Sequence, residues 1–256
     1  MSGRNERVAK IDGDDYARSG FLLRPALFSE RECDAMREWV DDLAMRARTP
    51  GGARRYNDDE AAAANREILS RVEYFRGFHE GLREVTESPR IFEILDRLLG
   101  EPAVLFKDKI NYKIPGSSGF LPHQDAQAGW SRYCATHVTV LVSIDAMTFE
   151  NGCLELASGQ HRRGLIGDLW EPLRGASLEG LDFLPLRTNP GDACFFGSVV
   201  PHRSAPNRTN HPRRALYLTY NPASQGDHYE TYFEDKRRAY PPDALRPAGD
   251  VSRYRV

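Results

Sequence analysis

The segment Phe120-Leu121-Pro122-His123-Gln124-Asp125 places an imidazole and a carboxylate two residues apart, and in an extended chain alternate side chains point to one side. Such a pair can share a metal ion but needs a further ligand. His202 is the candidate, because it follows the apolar run ACFFGSVVP at an expected strand end, where a closed two-sheet fold can bring it to His123 and Asp125. Two histidines and one carboxylate form the facial set of non-haem iron(II), which leaves the other face for a bidentate co-substrate and dioxygen. Zinc accepts the same ligands, so the residue types leave the metal open. Arg213 and Arg214 open the apolar strand ALYLTY, and alternation sends one inward and one outward. An inward guanidinium can grip a carboxylate, such as the far one of 2-oxoglutarate, through two parallel bonds.

Other residues surround this set. Gln124 should face away from its neighbours into a structural hydrogen bond. Trp130 and Tyr133 lie just beyond the proposed ligands and are expected to wall a pocket, either as ordinary packing or as flat faces for a substrate cation. Lys107, Lys109 and Lys113 accompany Asn111 on an expected strand whose odd positions share a face; they can meet an anionic substrate or stay solvated. His161 sits among polar neighbours and is not assigned to the metal.

These residues need a scaffold, and 256 residues with 12 Phe, 11 Tyr and 3 Trp suffice for one well-filled domain. A net charge of −2, from 35 basic and 37 acidic residues, argues against a nucleic-acid surface. The polar start and the short apolar runs give no signal or membrane segment, so a cytoplasmic protein is expected. Cys33, Cys134, Cys153 and Cys194 are too scattered for a disulfide framework or zinc knuckle.

Gly20-Phe21-Leu22-Leu23 suggests a short strand, and Ser29 ahead of Glu30-Arg31-Glu32, with Met36, Val40 and Leu43, a capped helix. Thr49 to Asn57 is expected to be a loop, and the DDEAAAANREIL that follows it to be helical. Two helices divided at Pro89 fit Phe75 to Leu99. After residue 102 short apolar runs follow one another too closely for crossover helices, favouring antiparallel sheets closed as a sandwich or barrel. No GxGxxG or GxxxxGK loop is present. Pro241-Pro242 and the end RPAGDVSRYRV suggest a surface tail.

The ordered motifs KINYKIPGSSGFLPHQD, NGCLELASGQH and GDACFFGSVVPHRSAPNRTNHPRRALYLTY resemble the phytanoyl-CoA dioxygenase family of iron(II)- and 2-oxoglutarate-dependent oxygenases, over about Asp15 to Asn221. The resemblance implies a mainly β fold with flanking α-helices, a double-stranded β-helix or jelly roll of the cupin type. A helical portion at about 25–100 would precede a jelly-roll core at about 103–222 and a C-terminal extension, all one domain. It further implies that His123, Asp125 and His202 hold Fe(II), that Arg213 rather than Arg214 binds the distal carboxylate of 2-oxoglutarate, that Ser204 assists it, and that Asn111 lies near the co-substrate. The implied reaction hydroxylates a C–H bond and converts 2-oxoglutarate and O2 to succinate and CO2. Halogenating relatives carry Gly or Ala in place of the metal carboxylate, and this chain keeps Asp125. The FKDKINYK to HQDA region resembles bacterial hydroxylases of small aminoalkylphosphonates, so a small polar substrate, zwitterionic or amino-acid-like, is expected to contact Lys109, Trp130 and Tyr133. A non-catalytic jelly-roll binder and a zinc hydrolase are the competing classes, and the oligomeric state is left open.

Overall fold

The structure is a computed structural model that describes residues 14–47, 52–58 and 67–246. Its scaffold is two antiparallel sheets face to face. The larger has seven strands in the order β1 (Phe21–Arg24), β9 (Ala193–Gly197), β6 (Val138–Ser143), β11 (Arg213–Pro222), β4 (Ala103–Lys113), β3 (Leu69–Glu73) and β2 (Arg54–Asn57). The smaller has four, in the order β5 (Phe120–His123), β10 (His202–Ser204), β7 (Leu154–Ala157) and β8 (Phe183–Leu186). This is the double-stranded β-helix expected of the sequence.

Helices cover the outer face of the large sheet. In α2 (Glu30–Arg46), which follows the short α1 (Asp14–Ser19), Ser29 accepts from the Glu32 N–H and the Glu32 carboxylate accepts from Ser29 N, a reciprocal cap. Its stripe Cys33, Met36, Val40 and Leu43 is buried. The expected division at Pro89 is seen: α3 (Glu80–Thr86) ends, and α4 (Pro89–Leu99) begins with Pro89 in its first turn, where no N–H is needed, and stops at the left-handed Gly100. Side chains alternate between two cores. Phe106, Ile110, Val140, Phe195 and Leu216 pack outward under the helices, while Leu141, Cys194, Phe196, Ala215 and Tyr217 pack inward between the sheets. All ten residues of β11 are consequently buried.

Three expectations change. The loop at 49–57 contains β2, because Arg54 and Tyr56 alternate inward and pair with β3. The helix expected over 58–69 falls largely on residues 59–66, outside the described residues, and its last residue, Leu69, instead starts β3. The portion before residue 103 is thus not only helical, since β1 and the β2–β3 pair extend the large sheet at its two edges. In the C-terminal extension, α5 (Tyr229–Ala239) precedes the expected tail and buries Tyr229, Tyr232, Phe233 and Lys236, one face at helical spacing. Residues 247–256 of that tail lie outside the described residues. The four cysteines are buried and free, and among the described residues no helix is long and apolar enough to cross a membrane.

Candidate active site

The β5–β10 pairing sets His123 directly opposite His202, with ring centroids 4.2 Å apart. Gln124 stays extended, which returns Asp125 to the side of His123 before the chain turns into a 3-10 segment at Asp125–Ala128. Gln124 itself is fully buried on the other side and binds three backbone groups: the Gly164 and Val199 carbonyls, at 2.8 and 2.6 Å, and the Ile166 N–H, at 2.7 Å. It is the structural hydrogen-bonding residue the alternation predicts.

Ligand atoms of His123, Asp125 and His202 lie within 4.8 Å of one another, close enough to share one ion. The Nδ1 atoms of His123 and His202 face the carbonyls two residues earlier, Leu121 O at 2.7 Å and Val200 O at 3.0 Å. A carbonyl only accepts, so each Nδ1 carries the proton and each Nε2 offers its lone pair. Thr139 donates to Asp125 Oδ2 at 3.2 Å, and Oδ1 lies 4.0 Å from His202 Nε2, a spacing suited to an ion between them. Burial, reinforced by His202, pulls His123 down to about 3, and burial also lowers His202. Burial opposes ionisation of Asp125, but His202 and Lys109 outweigh it and hold the carboxyl below its usual range. Neutral imidazoles and an ionised carboxylate are the forms that bind a metal.

The two arginines part as alternation requires. Arg214 faces outward and is engaged by Asp145, with Nε at 2.8 Å, and by Asp41, with Nη1 at 2.7 Å from both oxygens. Arg213 faces inward at 1% exposure, and its Nη2 donates to Gly152 O at 3.0 Å. Its Nε and Nη1 are buried with no hydrogen-bond partner among the described residues, as is Asn111 Oδ1. Unpaired buried donors on a guanidinium are costly unless an acceptor arrives, and a carboxylate is the acceptor whose shape fits. Ser204, two residues beyond His202, accepts from Lys113 Nζ at 2.7 Å.

Lys107, Lys109, Asn111 and Lys113 share the inner face of β4, as their odd numbering predicts, but they serve two places. Lys113 pairs across the sheet with Arg213, whereas Lys107 and Lys109 line a pocket with Arg71, Glu73, Trp130 and the ligands His123 and Asp125. Lys107 Nζ lies 5.3 Å from the Trp130 ring centroid and Lys109 Nζ 4.8 Å from that of Tyr217. Trp130 Nε1 is buried without an acceptor among the described residues. Tyr133 is a correction: it is not among the residues lining the pocket, and its hydroxyl donates to Asp235 on α5 at 2.8 Å, which turns its polar end away. His161 packs against Gly20, apart from the ligand set. Sequence reasoning passed over Arg71, Glu73 and Thr139. Thr139 was readable as the polar inward member of HVTVLVS, while Arg71 and Glu73 followed a segment taken for helix.

A jelly roll that carries this ligand set beside an unsatisfied inward guanidinium defines an iron(II)- and 2-oxoglutarate-dependent oxygenase, an enzyme. The sequence model of the phytanoyl-CoA dioxygenase (PhyH) family matches residues 16–215, and the chain belongs to that family. A methylphosphonate hydroxylase of Gimesia maris is 38% identical over 228 residues, 89% of this chain and 86% of its own. A 2-aminoethylphosphonate dioxygenase of an uncultured bacterium is 37% identical over 236 residues, 90% of this chain and 88% of its own. Among solved structures, EctD from S. alaskensis with 2-oxoglutarate and 5-hydroxyectoine has a TM-score of 0.72 at 19% identity, over 86% of this chain and 79% of its own. The epimerase SnoN in complex with Fe3+, alpha ketoglutarate and nogalamycin RO has a TM-score of 0.67 at 21% identity, over 94% of each chain. The cofactors are Fe(II) and 2-oxoglutarate, which resolves the choice between iron and zinc that the ligand types left open.

Proposed function

We propose that this enzyme hydroxylates a small phosphonate, held by the cationic wall of β3 and β4 beside the metal ligands. The carrying observation is that wall. Arg71, Lys107 and Lys109 line one pocket with the buried Trp130 N–H, against two carboxylates: the metal ligand Asp125, and Glu73, which faces Lys107 at 3.8 Å and Lys236 at 2.6 Å. Net positive charge in a desolvated cleft suits a doubly charged tetrahedral head, and the two phosphonate-acting relatives support that class.

In this reading His123, Asp125 and His202 hold the iron, Arg213 receives the distal carboxylate of 2-oxoglutarate, and Ser204 and Asn111 lie against it. When bound, iron(II) with 2-oxoglutarate and O2 supplies the oxidation that replaces C–H by C–OH, with release of succinate and CO2. The residues themselves bind and orient. Lys107 and Lys109 fix the phosphonate so that its neighbouring carbon faces the open side of the ligand set, and Trp130 closes the pocket floor to water.

The test is an anaerobic absorbance titration of the apo-protein with iron(II) and 2-oxoglutarate, then with methylphosphonate and 2-aminoethylphosphonate, followed by phosphorus NMR after admission of air. A charge-transfer band perturbed by a phosphonate, with hydroxylated product matching succinate one to one, is expected. Lys109→Met should raise the phosphonate KM roughly tenfold or more, the loss of one charge-assisted bond. A band that no phosphonate perturbs, with no phosphonate-stimulated succinate, would sink the substrate reading.

A further inference from the structure

We infer that Lys113 is a positioning residue for the co-substrate: its ammonium turns the Ser204 hydroxyl so that the serine proton points at the carboxylate gripped by Arg213. The inference rests on the reading that Arg213 and Ser204 receive the distal carboxylate of 2-oxoglutarate.

Three observations carry it. Lys113 is 2% exposed, and its Nζ donates to Ser204 Oγ at 2.7 Å, to Gly152 O at 3.3 Å, and to Ala205 O. In its ammonium form, the form an adjacent carboxylate favours, the lysine has three N–H groups and no lone pair, so these three acceptors use it fully, and in the pair with Ser204 it can only donate. The serine oxygen therefore accepts there and keeps its own proton for another partner. Second, Lys113 and Arg213 are direct cross-strand partners, both side chains are buried, and both donate to the same Gly152 carbonyl. Two like charges placed opposite each other repel, and the arrangement is relieved by an anion between them. Third, Arg213 Nε and Nη1 are buried with no hydrogen-bond partner among the described residues, which leaves two guanidinium donors at this spot for the oxygens of a carboxylate.

The local backbone is built around this lysine. Gly152 is in the left-handed region at φ 70°, and a Cβ there would stand 2.0 Å from Ala205 O and 2.9 Å from Lys113 Nζ. Only glycine lets the 152 and 205 carbonyls close on the ammonium. Burial and the facing Arg213 pull the lysine down to about 6, and the charge of an arriving carboxylate draws it back up, so the bound co-substrate favours the donating form.

The experiment compares 2-oxoglutarate with 2-oxobutyrate, which keeps the 2-oxo acid end and lacks the distal carboxylate. Both are titrated anaerobically into the iron(II) protein, and the ratio of their Kd values reads the distal site alone. Ser204→Ala and Lys113→Met should each reduce the preference for 2-oxoglutarate roughly tenfold, and the double variant should be no worse than about twofold beyond either single one. Lys113→Gln covers the case in which the methionine variant does not fold, because its amide oxygen can take the serine proton and should lower the ratio in the same way. Equal weakening of both acids would make Lys113 merely structural, and an unchanged ratio or fully multiplying effects would show that it does not act through Ser204; any of these overturns the inference. An unchanged ratio in Arg213→Met would instead locate the failure in the underlying reading of the carboxylate site.

Discussion

Two adjacent arginines on one strand should fail in opposite ways when each is replaced by methionine. Arg213 has two buried nitrogens without acceptors among the described residues. Two bonds to a carboxylate, each worth about 1.5–3 kcal/mol when charged, give a loss of at least about 3 kcal/mol on substitution, or roughly a hundredfold or more in the Kd of 2-oxoglutarate. The free protein should keep its stability or gain some, because a buried, incompletely satisfied cation is removed. Arg214 does its bonding in the fold: it ties Asp145, at 15% side-chain exposure, and Asp41, at 62%. The Asp41 half is discounted for solvent, and the Asp145 half, which also accepts from Arg37 Nε at 3.2 Å, leaves a loss of about 1–3 kcal/mol. At about 2–4 °C per kcal/mol, Arg214→Met should lower Tm by several degrees with co-substrate affinity unchanged. Anaerobic titration and a melting curve on each variant decide the matter. Lost affinity in Arg214→Met beside normal affinity in Arg213→Met would refute the register argument.

Asp125→Ala should fold yet fail to retain iron(II) at one equivalent per chain after desalting, measured by metal analysis; full retention would remove Asp125 from the ligand set. The apo-protein should lose stability on acidification. His123, His137 and His202 are held by burial below the unfolded imidazole value of about 6.5, His123 at about 3 and His137 at about 4, so the unfolded chain binds protons first as the pH drops from about 6.5. A Tm that stays level between pH 7 and 5 would contradict this. Gln124→Leu strips three part-buried backbone groups of partners at once and should cost about 1.5–4 kcal/mol, a Tm fall of roughly 3–12 °C, and a change under 2 °C would show that the 164–166 and 199 segments re-pair without it.

The metal centre was legible in the sequence because its signals are local: the HxD spacing is set by strand alternation, and His202 stands at the end of a strand whose apolar character is unmistakable. Alternation required only that one of Arg213 and Arg214 face inward; the choice of Arg213 came from the family-like pattern, and the register of the β4 and β6 pairings was not readable in the sequence. The cationic pocket wall was only half legible. Lys107 and Lys109 announce themselves as polar residues repeating by two in a strand buried on both faces, but the rest of that wall comes from Arg71 and Glu73 on the adjoining β3, separated by more than thirty residues and preceded by an alanine-rich stretch that mimics helix. Tyr133 misled because proximity in sequence to the ligands placed it near Trp130, while the bond to Asp235 depends on a helix a hundred residues away. That helix is amphipathic at Tyr229, Tyr232, Phe233 and Lys236, a pattern readable in principle but overlooked beside the Pro-rich tail.

Lys236, on that helix, lies beyond residue 215, where the match to the family ends, yet its ammonium meets Glu73 in the pocket wall. Surrounding cations hold the Glu73 carboxyl well below its usual range despite burial, and replacing Lys236 by a neutral residue would leave that negative charge less compensated beside Lys107. The charge lining that pocket is thus set partly by a helix more than a hundred residues from His123 and Asp125 in the chain. Such an arrangement separates two functions within one chain. The metal ligands can stay fixed while a change on one distant helix alters the charge of the cleft beside them.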